Sequence, residues 1–104
     1  MRSGLREVRF SLAARRDLAG IAAHIAGAAG RGIASQVITR IRVQCELLAQ
    51  APGEIGTSRP EIRQGVRSLP VPPHVIFFRY RGEEEVQVVR ILHERQDVER
   101  HEID

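Results

Sequence analysis

Lysine and tryptophan are absent from this chain, cysteine occurs once, and the aromatic residues are one tyrosine and three phenylalanines. The lone Cys45 excludes an internal disulfide, and without a CxxC pair there is no cysteine zinc site. Long apolar runs are missing too. The longest without a formal charge, Leu18 to Gly30, contains His24 and falls short of the about 20 residues of a spanning helix. Met1 to Phe10 has no apolar h-region, so no signal peptide is expected and the location is read as cytoplasmic. GxSxG, P-loop and GxGxxG motifs are all lacking. The four histidines show no metal-ligand spacing, and neither a metal nor a cofactor is expected.

What is present is arginine. All sixteen basic residues are Arg, set against thirteen acids, for a net charge of +3. That is too mild for a dedicated nucleic-acid arm. It does supply planar, permanently charged groups suited to carboxylate or phosphate partners. The 104 residues, 42% of them hydrophobic, fit one domain spanning 1–104, with a core over about 5–98 and a charged tail over 94–104.

Val8 and Phe10 alternate with polar neighbours and predict a half-buried strand. Ser11 is placed to cap a helix over Leu12–Ala29, whose stripe is Leu18, Ile21, Ala22, Ile25 and Ala29. Gly30 and Gly32 predict a tight turn into a second helix, about Ile33–Gln50, with the stripe Ala34, Val37, Ile38, Ile41, Cys45 and Leu48. Two helices so joined form an antiparallel hairpin. After a Gly- and Pro-rich loop over 53–65, three strands are expected. Val66–Val71 carries Pro70, which places it near an edge. His74–Tyr80 is apolar enough to be central. Glu85–His93 follows a turn at Arg81–Glu84. The tail is expected to hold one helical turn around Val98. The fold class is therefore α+β, order β-α-α-β-β-β, with a helical hairpin on one face of a small, mainly antiparallel sheet and the other face open.

Within this frame several residues invite a chemical reading. Phe77 or Phe78 must face the helices; the other stacks on a base only if exposed. Arg90, in the middle of the last strand, is costly in a core unless paired. It is expected on the open face beside Arg79 or Arg67, or bridged to Glu85 or Glu61. His93 and Arg95, with Asp97 beyond, pair a proton carrier with a charge stabiliser, as phosphodiester cleavage requires; the same run equally closes a strand end by local hydrogen bonds. His24 is read as packing, His74 as a turn residue and His101 as solvent-facing. Cys45 is read as inert packing.

The segments VRFSLAARRDLAGIAAHIA, CELLAQAPGEIGTSRPEI with Arg59, Pro60 and Glu61, GVRSLPV, HVIFFRY and VVRILHERQD follow one another in an order that resembles the ParE/RelE superfamily of type II toxin–antitoxin toxins, over about Arg6 to Val98. They are closer to the ParE branch. The resemblance implies a toxin neutralised by a cognate antitoxin in a hetero-oligomer, with no membrane partner. ParE-type toxins inhibit DNA gyrase without catalysis; RelE-type relatives are ribosome-dependent mRNA endonucleases. Nuclease-type relatives carry a basic residue early in the central strand, where this chain has Val75. Arg95 matches a catalytic-type basic position and His101 an acid–base one, so a nuclease would use Arg95 with His93 or His101. The gyrase reading instead assigns target binding to Arg67, Arg79, Arg90, His93 and Arg95 on the open face and strand end. A third reading is an inactive module that only sequesters antitoxin. Pro72-Pro73 and Glu94 depart from the ParE pattern.

Overall fold

The computed structural model describes residues 5–96. Strand β1 (Glu7–Phe10) is followed by helices α1 (Leu12–Ala29) and α2 (Arg31–Gln50) and then by β2 (Thr57–Ser58), β3 (Arg67–Val71), β4 (His74–Arg81) and β5 (Glu85–His93). The sheet order is β1-β5-β4-β3-β2. The first and last long strands are parallel neighbours, with Val8 opposite Val86, and every other pairing is antiparallel. The α+β class, the helical hairpin and the central place of β4 match the expectations from sequence. The two-residue edge strand β2 had no hydrophobic pattern to announce it.

Ser11 makes the corner between β1 and α1. Its backbone N–H donates to Val88 O at 3.0 Å, its hydroxyl donates to Val89 O at 2.8 Å, and the same oxygen accepts the Ala14 N–H at 3.0 Å. One residue thus caps the helix and fixes it to β5. The turn between the helices is shorter than expected. Gly30, at φ 93°, is the single residue between them, and Gly32 already lies inside α2. That left-handed backbone is why glycine stands there.

The helices cover one sheet face. Ala14, Leu18, Ile41, Cys45 and Leu48 meet Val71, Ile76, Phe78, Val86, Val88 and Ile91 in the main core. Tyr80 seals its rim: its hydroxyl donates to Leu48 O at 3.1 Å, and the Arg6 guanidinium lies 4.3 Å over its ring. The opposite face is not bare, which corrects the expectation of an open platform. Val66, Phe77, Val89 and Leu92 form a second buried cluster there, with Ile62 and Val75 packed against it. Val66 N–H donates to Arg63 O at 3.1 Å and Arg59 N–H to Val66 O at 2.8 Å, so the chain from Arg59 folds back over this face.

A bulge explains how β5 serves both clusters. Phe77 pairs with Arg90 but Phe78 with Val88, leaving Val89 as the extra residue. Strict alternation would put Val88 and Leu92 on one side; the bulge sends Val88 to the helices and Leu92 to the second cluster.

Candidate functional site

The arginines assigned to the open face separate into different roles. Arg90 turns to α1. Its Nε and Nη2 donate to the two Asp17 carboxylate oxygens at 2.7 and 2.8 Å, and Asp17 also accepts the Ile91 N–H at 2.9 Å. The side chains are only 14% and 12% exposed. The reason is topological. Strand β1 ends opposite Val88, so beyond it the edge of β5 needs another acceptor, and Asp17 supplies one. The carboxylate raises the Arg90 pKa above its ordinary value by hydrogen bonding. Neither Glu85 nor Glu61 is the partner in this pair.

Arg67 is held away from the second face. It shares a side of β3 with Leu69, which packs on the helix-side core. Its Nε and Nη2 donate to Ile55 O at 2.8 Å and Gly56 O at 3.1 Å, with Glu54 at 3.8 Å. It clamps the loop before β2, where Gly56, at φ 87°, passes so close to Phe78 that an added Cβ would lie 2.8 Å from the ring.

Arg79 stands opposite Gln87, half-buried, on the Phe77 side of β4. Phe77 itself is 4% exposed, with the Arg59 guanidinium 5.9 Å over its ring, and is unavailable to stack on a base. Arg59 also donates to Ser68 Oγ at 3.3 Å and to Glu61 at 2.6 Å. That last bond holds the Glu61 carboxyl below its ordinary pKa.

At the strand end the structure shows the local closure. His93 N–H donates to Gln96 Oε1 at 2.6 Å, Gln96 N–H returns to His93 O at 2.9 Å, and Arg95 N–H donates to His93 Nδ1 at 3.1 Å. Arg95 is exposed. His93 does not face the second cluster; it lines a cavity under α1 with His24 and His74. His74 is not a turn residue but a buried strand residue, 7% exposed, edge-on to His93 at 5.7 Å. Its pKa is lowered by burial first, then by His93 and Arg40. His24 is exposed at the cavity rim and does not pack in the core. His101, Asp97 and the helical turn around Val98 lie outside the described residues. Among the described residues no three His, Cys, Asp or Glu side chains are grouped to hold a metal ion, and no helix is long and apolar enough to cross a membrane. Cys45 is buried, and desolvation pushes its thiol up to about 12.

The helical hairpin carries a groove that the sequence reading did not single out. One part, ≈ 430 Å³, is lined by Phe10, Leu18, Ala19, Ala22 and Ile38 between Arg15 and Arg42. It continues over Ala22, Ala26 and Ala34 toward Arg31, ≈ 360 Å³. Small residues recurring on both helices were the available signal; which basic residues rim them depends on the crossing of the helices.

Residues 8–98 match the family description "ParE toxin of type II toxin-antitoxin system, parDE". The chain belongs to the ParE toxin family. Two curated relatives, both named Toxin ParE1, from two strains of Mycobacterium tuberculosis, are each 46% identical over 52 residues, 50% of this chain and 53% of theirs. The chain thus spans about half the length of the curated relatives it matches. A chain from the chromosomal ParDE system of P. aeruginosa superposes with a TM-score of 0.73 at 29% identity, over 88% of this chain and 98% of that one. A chain of the RelBE2 toxin–antitoxin complex of Mycobacterium tuberculosis shares the fold, with a TM-score of 0.67 at 19% identity over 88% and 94%. The ParE fold shared by these proteins is therefore the frame in which the site residues stand.

Proposed function

We propose that this ParE-family chain inhibits DNA gyrase by binding it, without catalysing a reaction, and that a cognate antitoxin neutralises it. The observation that carries this is the family match over residues 8–98. The chemistry of the site supports it. Val75, at the position where nuclease-type relatives carry a base, packs against the second cluster and cannot stabilise an anion. His93 already uses Nδ1 to accept from the Arg95 backbone, so its lone pair is engaged. Arg95, exposed at the strand end, is the first assigned target contact, and Arg79 adds to it only where gyrase uncovers its Nε and Nη2, which are closed to solvent. Arg67, Arg90 and His93 act indirectly, by holding the loop, the β5 edge and the strand end.

The groove between Arg15, Arg31 and Arg42 is assigned to the antitoxin. An apolar floor with basic rims fits an amphipathic segment bearing acids. Purified chain added to gyrase of its own host should block supercoiling, and Arg95→Ala should weaken the block while leaving the fold intact. Unimpaired supercoiling at excess toxin, with cleavage of ribosome-bound transcripts in a translating extract, would instead establish the nuclease reading. Unslowed growth on expression without antitoxin would establish the inactive module.

A further inference from the structure

The cavity under α1, ≈ 530 Å³, has a composition that neither gyrase binding nor antitoxin docking uses. His74 begins β4 and His93 ends β5, directly opposite one another in the ladder. From α1, Arg16 and His24 flank Gly20 at four-residue steps, and a Cβ on Gly20 would meet nothing within 4 Å. The row thus leaves room between two cationic or donor groups. The one acid lining the cavity, Asp17, is occupied by Arg90 and the Ile91 N–H.

His74 is the second, independent observation. It is 7% exposed, it lines the cavity, and no described residue hydrogen-bonds its ring. Its ring nitrogens are not among the buried, unsatisfied side-chain atoms, so they keep access to the cavity and can meet a ligand there. His93 accepts at Nδ1, which leaves the neutral ring's proton on Nε2 as a donor. The cavity therefore offers the Arg16 charge and imidazole donors over an apolar floor of Ile21, Ile25 and Ile91, and its one carboxylate is already engaged.

We propose that this cavity is a binding pocket for a small oxyanion, held between Arg16 on α1 and the His74–His93 pair on the sheet. The pocket shares His93 with the strand end that presents Arg95, but oxyanion binding does not depend on the gyrase reading. The charged groups around His74 set its pH response. Arg40 of α2 and His93 oppose its protonation and Glu94 favours it. Arg16, His24 and Asp17, the last paired with Arg90, complete the α1 side. An added anion makes the His74 imidazolium easier to reach, so binding is tighter at pH 6 than at pH 8, by at most about tenfold per pH unit.

The test is histidine ring 15N NMR on the full chain, titrated with sodium sulfate at constant ionic strength against sodium chloride. Sulfate keeps its charge across this pH range, so the pH dependence belongs to the protein. A saturable shift of the His74 and His93 rings is expected, stronger at pH 6. Arg16→Gln, an exposed position that leaves the core untouched, should weaken it about fivefold or more. His74→Phe should remove the response at His93. A sodium acetate arm distinguishes the source: saturation with acetate alone assigns the pocket to carboxylates, and with sulfate to phosphate-like groups. Shifts that grow linearly with either anion, equal those in chloride, or persist unchanged in Arg16→Gln overturn the proposal.

Discussion

Replacing Asp17 by alanine removes three hydrogen bonds at once, two from the Arg90 guanidinium and one from the Ile91 N–H. Both charged side chains are more than four-fifths buried. Their loss differs from that of a surface pair, which is typically worth about 0–1 kcal/mol. Breaking a buried pair by deleting one partner costs about 3–5 kcal/mol, because the other charge is left desolvated. The residual exposure here lets water reach the guanidinium, so the lower end, about 3 kcal/mol, is expected. Against a total of about 5–15 kcal/mol for a small domain, that is a large fraction. With a urea m-value of about 1–3 kcal/mol/M, the unfolding midpoint should fall by roughly 1–3 M. The double-mutant cycle with Arg90→Met isolates the pair. Methionine leaves no stranded charge, so Asp17→Ala and Arg90→Met together should be less harmful than their sum by about 2 kcal/mol. Strict additivity within about 0.5 kcal/mol would show that the two side chains do not depend on each other, and the account of the capped β5 edge would be wrong.

Gly56→Ala should destabilise the fold by about 2 kcal/mol or more in urea unfolding, since the new methyl meets the buried Phe78 ring at a positive φ; an unchanged midpoint contradicts this. The folded pKa of His74 lies below its ordinary 6.5. As pH falls the unfolded chain therefore takes up its proton first, and His74's contribution is complete above about 6.5 and lost between there and the folded value. Without added oxyanion, that part of the acid slope should vanish in His74→Phe. Cys45, pushed up to about 12 by burial, should resist alkylation at pH 8 in the native chain and react on unfolding. Reaction at equal rates in both states would place the thiol elsewhere.

Periodicity carried the sequence reading a long way. The helical stripes ending at Leu48 and the apolar run His74–Tyr80 placed the hairpin and the central strand correctly, because three- and four-residue steps and continuous apolar runs have few other uses. Ser11 was legible as a cap for the same local reason. Arg90 was not. Its register opposite Phe77 keeps it on the side of the second cluster, but its guanidinium turns round the β5 edge to α1, which alternation along a strand does not show. Its partner Asp17 is 73 residues distant, so no spacing rule connects them. Arg67 was missed because its role depends on where the loop at Gly56 returns. The covered second face followed from the fold-back of the segment after Arg59, whose Ile62 alone gave little apolar signal. Local pattern thus located the elements, while the side-chain partners required the tertiary path.

The central claim, inhibition by binding rather than by turnover, is tested most directly by a titration of host gyrase with purified toxin at fixed enzyme concentration, well above the dissociation constant. The account predicts that supercoiling falls in proportion to added toxin and ends only when toxin equals or exceeds gyrase, with no change in DNA or protein covalent structure. Full supercoiling at a large excess of toxin, or complete inhibition by a small fraction of an equivalent, would contradict it.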